Sequence, residues 1–232
     1  MAAGPRRLLV VPLGSLEQHG PHLPLDTDTR IAAAVAARAC ARRPGVGVAP
    51  PIAIGASGEH ADFPGTLSVG TAALTTLLVE LGRHASLHWP AMLLVNGHGG
   101  NVPAISDAVR LLRAEGRRCH AWHAGIADGD AHAGRTETSV MLALAPGDVL
   151  MAAAAPGDTR PIGTIMPELR ARGVRAVSPN GVLGDPSGAC AEEGARLLAA
   201  LVAGLAGTLD KLLAGGNMDK LPAGGGMAEG SA

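Results

Sequence analysis

The stretch that decides the fold reads Glu17-Gln18-His19-Gly20-Pro21-His22-Leu23-Pro24-Leu25-Asp26-Thr27-Asp28. An apolar run typical of a buried strand precedes it, and an alanine-rich run typical of a helix follows it. These polar residues therefore lie at the carboxyl end of a predicted strand, where open α/β sheets bind ligands. Glu17 and His19 are two residues apart and project to the same side of extended backbone. One glycine and two prolines exclude regular structure before Asp28, so we expect Glu17, His19 and Asp28 to ligate a metal ion.

A second loop of the same kind contains His98, flanked by glycines that let a bound group approach the backbone. It follows the strand-like run 91–95. A phosphate cradle is the rival interpretation, but the loop has neither the GKS or GKT signature nor GxGxxG spacing. We therefore predict that His98 is a fourth metal ligand.

Glu137 is the fifth predicted ligand, near the start of a helix-like run. Taken alone, it would be read as a first-turn carboxylate that complements the helix dipole. With four other candidates, it completes two metal sites that Asp28 bridges. Nitrogen and oxygen ligands suit zinc, iron(II) or manganese better than calcium. Two adjacent cations acidify a shared water and polarise a carbonyl, which is the chemistry of amide or ester hydrolysis.

Three further histidines, His22, His60 and His132, lie in polar loops of the same kind. His132 is placed to protonate a leaving nitrogen, and His60 to hold the substrate carbonyl or tetrahedral oxygen. Each is equally compatible with an ordinary hydrogen-bonded loop histidine. His22 either orients a ligand from outside the metal's direct contacts or closes its own loop. Serine-based catalysis is disfavoured, because no GxSxG elbow is present.

The composition restricts the protein class. The 232 residues are enough for one domain, which we place at 1–213, followed by a flexible Gly-rich tail at 214–232. The formal charge is −1 and there is no concentrated basic block, which disfavours nucleic-acid binding. Three cysteines without a CxxC motif indicate a reducing compartment. No apolar run approaches a transmembrane span, so we expect a cytoplasmic protein without a membrane partner.

Strand-like and helix-like runs alternate, which predicts parallel βαβ units with helices on both faces of the sheet. The predicted strands lie near 7–13, 46–54, 91–96 and 118–123. The predicted helices lie near 28–43, 71–87, 101–115, 135–145 and 190–213, with Asn101 as an N-cap. The Pro- and Gly-rich stretch 156–188 is expected to be an ordered excursion with short strands that covers the site or meets a neighbouring subunit.

These motifs resemble the creatininase family of metal-dependent amidohydrolases over nearly the whole predicted domain. The resemblance implies a three-layer α/β/α sandwich around a mostly parallel sheet, two divalent metal ions and a homo-oligomer, as a hexamer or a dimer. By motif position it implies that Glu17, His19, Asp28 and His98 are ligands, with Asp28 as the bridge. Creatinine hydrolases of the family have a ligand glutamate where this chain has Gly100, so creatinine is disfavoured as substrate and Glu137 is our hypothesis for the missing ligand.

Within the family, the chain resembles more closely a member that cuts a modified precursor peptide near its C-terminus and releases a core derived from Val-Tyr. The stretches that carry this similarity are 25–29, 55–60, 130–139 and 174–186. The resemblance thus implies that a modified precursor peptide is the substrate. Two alternatives stay open: an amidohydrolase acting on a small cyclic amide or formamide, and a non-catalytic metal-binding scaffold of a biosynthetic complex.

Overall fold

A four-stranded parallel sheet forms the centre of the protein. The structure is a computed structural model that describes residues 5–126 and 129–215. The strands are β1 (Leu8–Leu13), β2 (Val46–Val48), β3 (Met92–Asn96) and β4 (Cys119–His123). Their spatial order is β2-β1-β3-β4, and every pairing is parallel. The alternation of predicted strands and helices is therefore confirmed.

Five helices lie within a few residues of their predicted positions, and two further helices occupy the stretch 156–188. They are α1 (Thr27–Cys40), α2 (Gly70–Ala85), α3 (Val102–Ala114), α4 (Arg135–Leu144), α5 (Ile162–Arg172), α6 (Val174–Val177) and α7 (Ala191–Leu213). Asn101 occupies the predicted N-cap position of α3, but its side chain makes no hydrogen bond to the first turn of the helix. That side chain accepts from the Ala56 N–H at 2.8 Å and donates to the Gly14 carbonyl at 2.9 Å, so it ties two site loops together.

The two faces of the sheet each build a separate core, because side chains alternate along a strand. Leu93 and Val95 pack with the buried faces of α1, α4 and α7. Met92 and Leu94 point the other way and pack with α2 and α3. Strands buried on both faces read as continuous apolar runs, which explains why 91–95 shows no polar alternation. The predicted three-layer α/β/α sandwich is confirmed.

The strand predicted near 46–54 is much shorter in the structure. It ends at Val48, and the chain returns to the sheet only at one isolated bridge, Leu13 to Ile52. Pro50 and Pro51 lack the N–H groups that a longer ladder would require. The chain after β2 is therefore free to form the loop that carries His60.

The stretch 156–188 is ordered, but within the described residues it contains helices in place of the predicted short strands. Its only β interaction there is a bridge between Leu183 and His132. Ile165, Leu169 and Val174 pack with Phe63 in a small third core. This stretch therefore packs over the loop that carries His60. That position agrees with the first of its two expected roles, which was to cover the site.

The candidate site lies between β1 and β3, where the order in which the chain adds strands to the sheet reverses. From β1 the chain passes through α1 to β2 on one side, whereas β3 continues through α3 to β4 on the other. Such a switch point opens a crevice beyond the carboxyl ends of the two central strands. The loops after β1 and β3 meet there.

Among the described helices, none is long and apolar enough to cross a bilayer. The predicted tail lies outside the described residues beyond Gly215.

Helix α7 approaches α4 so closely that position 194 accepts only glycine. A Cβ at Gly194 would overlap the backbone carbonyl of Ser139, whereas a Cβ at Gly207 on the same helix meets nothing. Gly194→Ala is therefore expected to lower the free energy of unfolding by about 1–3 kcal/mol through overpacking. Gly207→Ala is the matched control and should raise it by up to about 1 kcal/mol. Urea unfolding followed by circular dichroism measures both, and equal effects of the two variants would contradict this packing argument.

Candidate metal centre

The loop after β1 folds back as predicted and brings its carboxylates and imidazole together. The Glu17 N–H donates to the Leu25 carbonyl at 3.0 Å, which closes the loop. Asp28 lies in the first turn of α1, and its Oδ1 is 3.2 Å from His19 Nε2. Glu17, His19 and Asp28 are all buried. Three of the predicted ligands therefore converge from a segment of twelve residues.

Asp28 lies between two imidazoles. Its Oδ1 faces His19, and its Oδ2 lies 3.3 Å from His98 Nδ1. The Ser15 hydroxyl donates to the same Oδ2 at 2.7 Å and fixes the carboxylate. A carboxylate that presents one oxygen to each of two ligand groups has the geometry of a bridge.

The carboxylate of Glu17 has no hydrogen-bond partner. Both of its oxygens are buried, and neither accepts a hydrogen bond. The nearest nitrogens are His98 Nε2 at 3.1 Å and His60 Nε2 at 3.3 Å. An uncompensated buried carboxylate is costly unless it binds a cation. The residues present therefore fit a metal ion at this position.

Two overlapping ligand clusters share Asp28. One combines Glu17, Asp28 and His98, and the other combines His19, Asp28 and Glu137; within each, the ligand atoms lie within 4.8 Å of one another. A third grouping joins Glu17 and His19 to His132. All five predicted ligands thus belong to one continuous nitrogen and oxygen donor set.

The hydrogen bonds of two histidines leave one nitrogen of each free for a metal ion. His19 Nδ1–H donates to the Glu17 carbonyl at 3.1 Å, which leaves Nε2 facing Asp28. His98 Nε2–H donates to the Ala56 carbonyl at 3.1 Å, which leaves Nδ1 facing Asp28. Metal-ligating histidines characteristically donate their other N–H to a carbonyl or carboxylate.

The electrostatics of the centre favour positive charge. Burial opposes protonation of His19, but Asp28, Glu137 and Glu17 outweigh it and raise the pKa of His19 to about 10. In the same way, the surrounding carboxylates overcome burial and hold the pKa of His98 well above its usual value. Burial would raise the pKa of Asp28, yet His19 and His98 hold it well below its usual range. The carboxylates thus create a field that attracts cations.

Glu137 lies at the edge of the donor set, in the first turn of α4. Its Oε2 is 3.8 Å from His19 Nε2 and accepts from the Ala133 N–H at 2.6 Å. Burial and the nearby Asp28 raise the pKa of Glu137 to about 7, although His19 opposes the change. A proton at this carboxylate and a metal ion would compete for the same oxygen.

His60 and His132 both approach Glu17 Oε1, with nitrogens at 3.3 Å and 3.8 Å. Their ring centroids are 4.6 Å apart, and both rings are buried. Burial, reinforced by neighbouring imidazoles, lowers the pKa of each to about 3, so both rings are neutral. His22 lies nearby: its Nε2 is 2.8 Å from the Thr138 hydroxyl, next to Glu137. That contact joins the loop after β1 to α4, and both roles proposed for His22 stay predictions.

Glu59 is a site residue that the sequence reasoning missed. Its Oε1 lies 3.4 Å from His98 Nε2, on the segment that also carries His60. A Cβ at Gly100 would overlap Glu59 Oε1, the Ala56 carbonyl and His98 Nε2. The only available signal was the adjacency of Glu59 to His60 in the sequence. This crowding gives a physical reason why position 100 holds glycine here.

Gly100→Ala is accordingly expected to disrupt the centre. The added methyl group must displace either His98 or the Ala56 backbone, and a partner that orients a ligand contributes about 10–100-fold in metal affinity or activity. Gly58→Ala is the matched control, because a Cβ at Gly58 meets nothing within 4 Å. Zinc titration of the two purified variants by calorimetry measures the change. Unaltered zinc affinity in the Gly100 variant would contradict the crowding argument.

Comparisons with known proteins agree with this geometry. The family model for creatininase, described as creatinine amidohydrolase, matches residues 2–209. The chain is 56% identical over 205 residues to a mycofactocin precursor peptide peptidase of Mycolicibacterium smegmatis, covering 86% of this chain and 83% of the relative. It is 53% identical over 203 residues to a protein of the same name from Mycobacterium tuberculosis, covering 84% and 81%.

Solved structures show the same fold. A mutant creatininase of Zn–Zn type has a TM-score of 0.72 and 28% identity, covering 88% of this chain and 90% of that chain. A manganese creatininase has a TM-score of 0.71 at 28% identity with the same coverage. The family model spans most of the sequence, and the described residues share the creatininase architecture. The chain therefore belongs to the creatininase family.

Proposed function

We propose that this protein is a metal-dependent peptidase that cleaves a modified mycofactocin precursor peptide near its C-terminus and releases the Val-Tyr-derived core. The observation that carries the proposal is the unpartnered, buried Glu17 carboxylate in a ligand cluster with Asp28 and His98, which shares Asp28 with a second cluster. The names of the relatives that are more than half identical support the choice of substrate. The catalytic unit is the domain at 1–213.

Two divalent ions are proposed for the centre. Glu17, Asp28 and His98 would hold one, and His19, Asp28 and Glu137 the other. Zinc or iron(II) fits these donors, and manganese is also compatible. The zinc and manganese forms of solved creatininases support this range of metals. When bound, such ions supply Lewis-acid polarisation of the scissile carbonyl and make water more acidic.

The neutral histidines supply the polar contacts and the proton transfer. His60 Nε2 lies 3.3 Å from Glu17 Oε1, next to the centre, and in this proposal its N–H donates to the oxygen of the scissile carbonyl. His132 donates through Nε2 to the Gln18 carbonyl at 2.8 Å, which leaves Nδ1 turned towards Glu17. That bare nitrogen would accept a proton from the attacking water and then deliver it to the leaving amine. Loss of the amine as a neutral group completes hydrolysis.

The decisive test is anaerobic incubation of the protein with the radical-enzyme-modified precursor peptide. Zinc, iron(II) and manganese are supplied in separate reactions, and mass spectrometry reads the products. We expect one cut near the C-terminus, with water added across the cleaved bond. The unmodified peptide and a set of small cyclic amides and formamides are the comparison substrates. Turnover of those small amides without peptide cleavage would identify the alternative amidohydrolase, and metal retention without any hydrolysis would identify a scaffold.

A homo-oligomer, as a hexamer or a dimer, is part of the same proposal, because the family resemblance implies it. Leu87 and Leu150 are large apolar side chains that stay 69% and 61% exposed in the single chain. Burial of such side chains between copies would be favourable. Light scattering coupled to gel filtration measures the mass of the assembly.

A further inference from the structure

The side chain of Gln18 connects the two neutral histidines to the segment that covers the site. Its Nε2 lies 2.8 Å from His60 Nδ1, 3.0 Å from the Gly181 carbonyl and 3.0 Å from His132 Nε2. Its Oε1 accepts from the Gly20 N–H at 2.9 Å. Gln18 is only 5% exposed. The amide is therefore held on all sides by groups of the site loops.

Two backbone groups determine the orientation of this amide independently of the histidines. The Gly20 N–H can only donate, so it must face Oε1, and the Gly181 carbonyl can only accept, so it must face the NH₂ group. One amide hydrogen is then directed to Gly181 and the other to His60 Nδ1. His60 Nδ1 must be the acceptor, and the proton of the neutral ring lies on Nε2. That nitrogen lies 3.3 Å from Glu17 Oε1, at the metal centre.

The backbone carbonyl of Gln18 determines which nitrogen of His132 carries the proton. The Gln18 carbonyl can only accept, and it lies 2.8 Å from His132 Nε2, so that nitrogen carries the proton. Nδ1 is left as a bare lone pair, 3.8 Å from Glu17 Oε1. Both amide hydrogens of Gln18 are already directed to other acceptors, so its 3.0 Å approach to His132 Nε2 joins two donor nitrogens and adds no hydrogen bond. One residue thus sets two complementary tautomers around Glu17.

The segment 178–184 is shaped to accept this arrangement. Gly181 has a φ of +83°, and a Cβ there would overlap the Gln18 amide. Glycine at this position lets the backbone carbonyl reach Nε2 at hydrogen-bond distance. Two residues later, Leu183 pairs with the backbone of His132. The segment therefore fixes both Gln18 and His132.

We propose that Gln18 is a positioning residue, which presents an N–H donor at His60 and a bare nitrogen at His132 to the same reacting centre. It acts through the two histidines and does not itself contact the substrate. The proposal rests on the proposed function for its kinetic consequences, but the tautomer assignment stands on the hydrogen bonds alone. Both histidines would otherwise be free to exchange their ring protons between the two nitrogens.

The first test reads the ring protons directly. Zinc-loaded full-length protein is labelled with ¹⁵N-histidine, and two-bond ¹H–¹⁵N correlations report which nitrogen of each ring carries hydrogen. His60→Ala identifies the His60 signals. We expect the wild type to show protonated Nε2 at His60, and Gln18→Glu to shift the proton to Nδ1, because a carboxylate offers no donor there. A wild-type ring protonated on Nδ1, or an identical ring pattern in the variant, would overturn the proposal.

The second test is a double-mutant cycle with the modified peptide. Gln18→Met has similar length but no donor, and we expect it to lower kcat by about tenfold or more while KM and zinc content stay within about threefold. In the His60→Ala background the same substitution should lower kcat by less than about twofold, because the partner is already gone. Equal losses in both backgrounds would show that Gln18 does not act through His60. If the wild type fails to cleave the peptide, the proposed function falls, and the ring-proton measurement still decides the role of Gln18.

Discussion

Glu17→Gln is expected to reduce cleavage of the modified precursor peptide by more than about 100-fold and to lower the bound metal. The reason is the position of the carboxylate, which is buried, accepts no hydrogen bond and belongs to two of the ligand clusters. The amide keeps the shape but loses the negative charge that a cation requires. Even groups that only orient a metal ligand contribute about 10–100-fold, so loss of a ligand itself should cost more. Steady-state kinetics and elemental analysis of the purified protein measure the two effects.

Asp26→Asn is the matched control for this variant. Asp26 lies in the same loop, but it is partly exposed and pairs with Arg30 at 2.7 Å, outside the metal centre. Such a surface ion pair contributes about 0–1 kcal/mol, so we expect activity and metal content close to wild type. Undiminished metal content in Glu17→Gln would remove Glu17 from the ligand set. His98→Ala should behave like Glu17→Gln, because the two residues share one cluster.

His132→Ala is expected to keep its metal and lose about 10²–10⁴-fold in kcat. The ring is buried and neutral, and its Nδ1 is directed towards the centre while Nε2 is engaged by a backbone carbonyl. Its removal takes away the group that would carry the proton from water to the leaving amine. Single-turnover kinetics at saturating peptide separate this chemical step from product release.

His84→Ala is the control, because His84 is exposed on α2, away from the site. It should leave kcat and metal content unchanged. An unaltered kcat in His132→Ala would refute the proton-transfer role. Loss of metal in that variant would instead make His132 a ligand, in agreement with the grouping of Glu17, His19 and His132.

The fold was predictable to the level of its layers and most of its helices. Apolar runs such as 91–95 are buried on both faces of the sheet, and burial on both faces is readable as a continuous apolar pattern. The predictions of secondary structure were wrong where tertiary contacts outweighed the local sequence pattern. Pro50 and Pro51 ended β2 early, and the stretch 156–188 formed helices whose apolar residues cover Phe63. Short apolar runs do not distinguish strand from helix until their packing partner is known.

The sequence was sufficient to predict which residues of the candidate site could bind a metal ion. Residues capable of binding metal followed predicted parallel strands, and the carboxyl ends of parallel strands meet at one edge of the sheet. The structure brings all five predicted ligands, with His60 and His132, to that edge. Glu59 and Gln18 were missed as contributors, because a carboxylate and an amide beside motif residues carry no distinct sequence signal.

Residue types and their spacing along the chain were therefore sufficient to establish an α/β protein with a mixed nitrogen and oxygen donor set, because both depend on local periodicity and on the order of strands and loops. Only the folded chain decided which oxygen of Asp28 faces which histidine, why a side chain at position 100 is excluded, and which ring nitrogens carry protons. Those properties depend on distances of a few ångström between loops far apart in sequence, such as Gln18 and Gly181. Such distances are set by the packing of helices on both faces of the sheet.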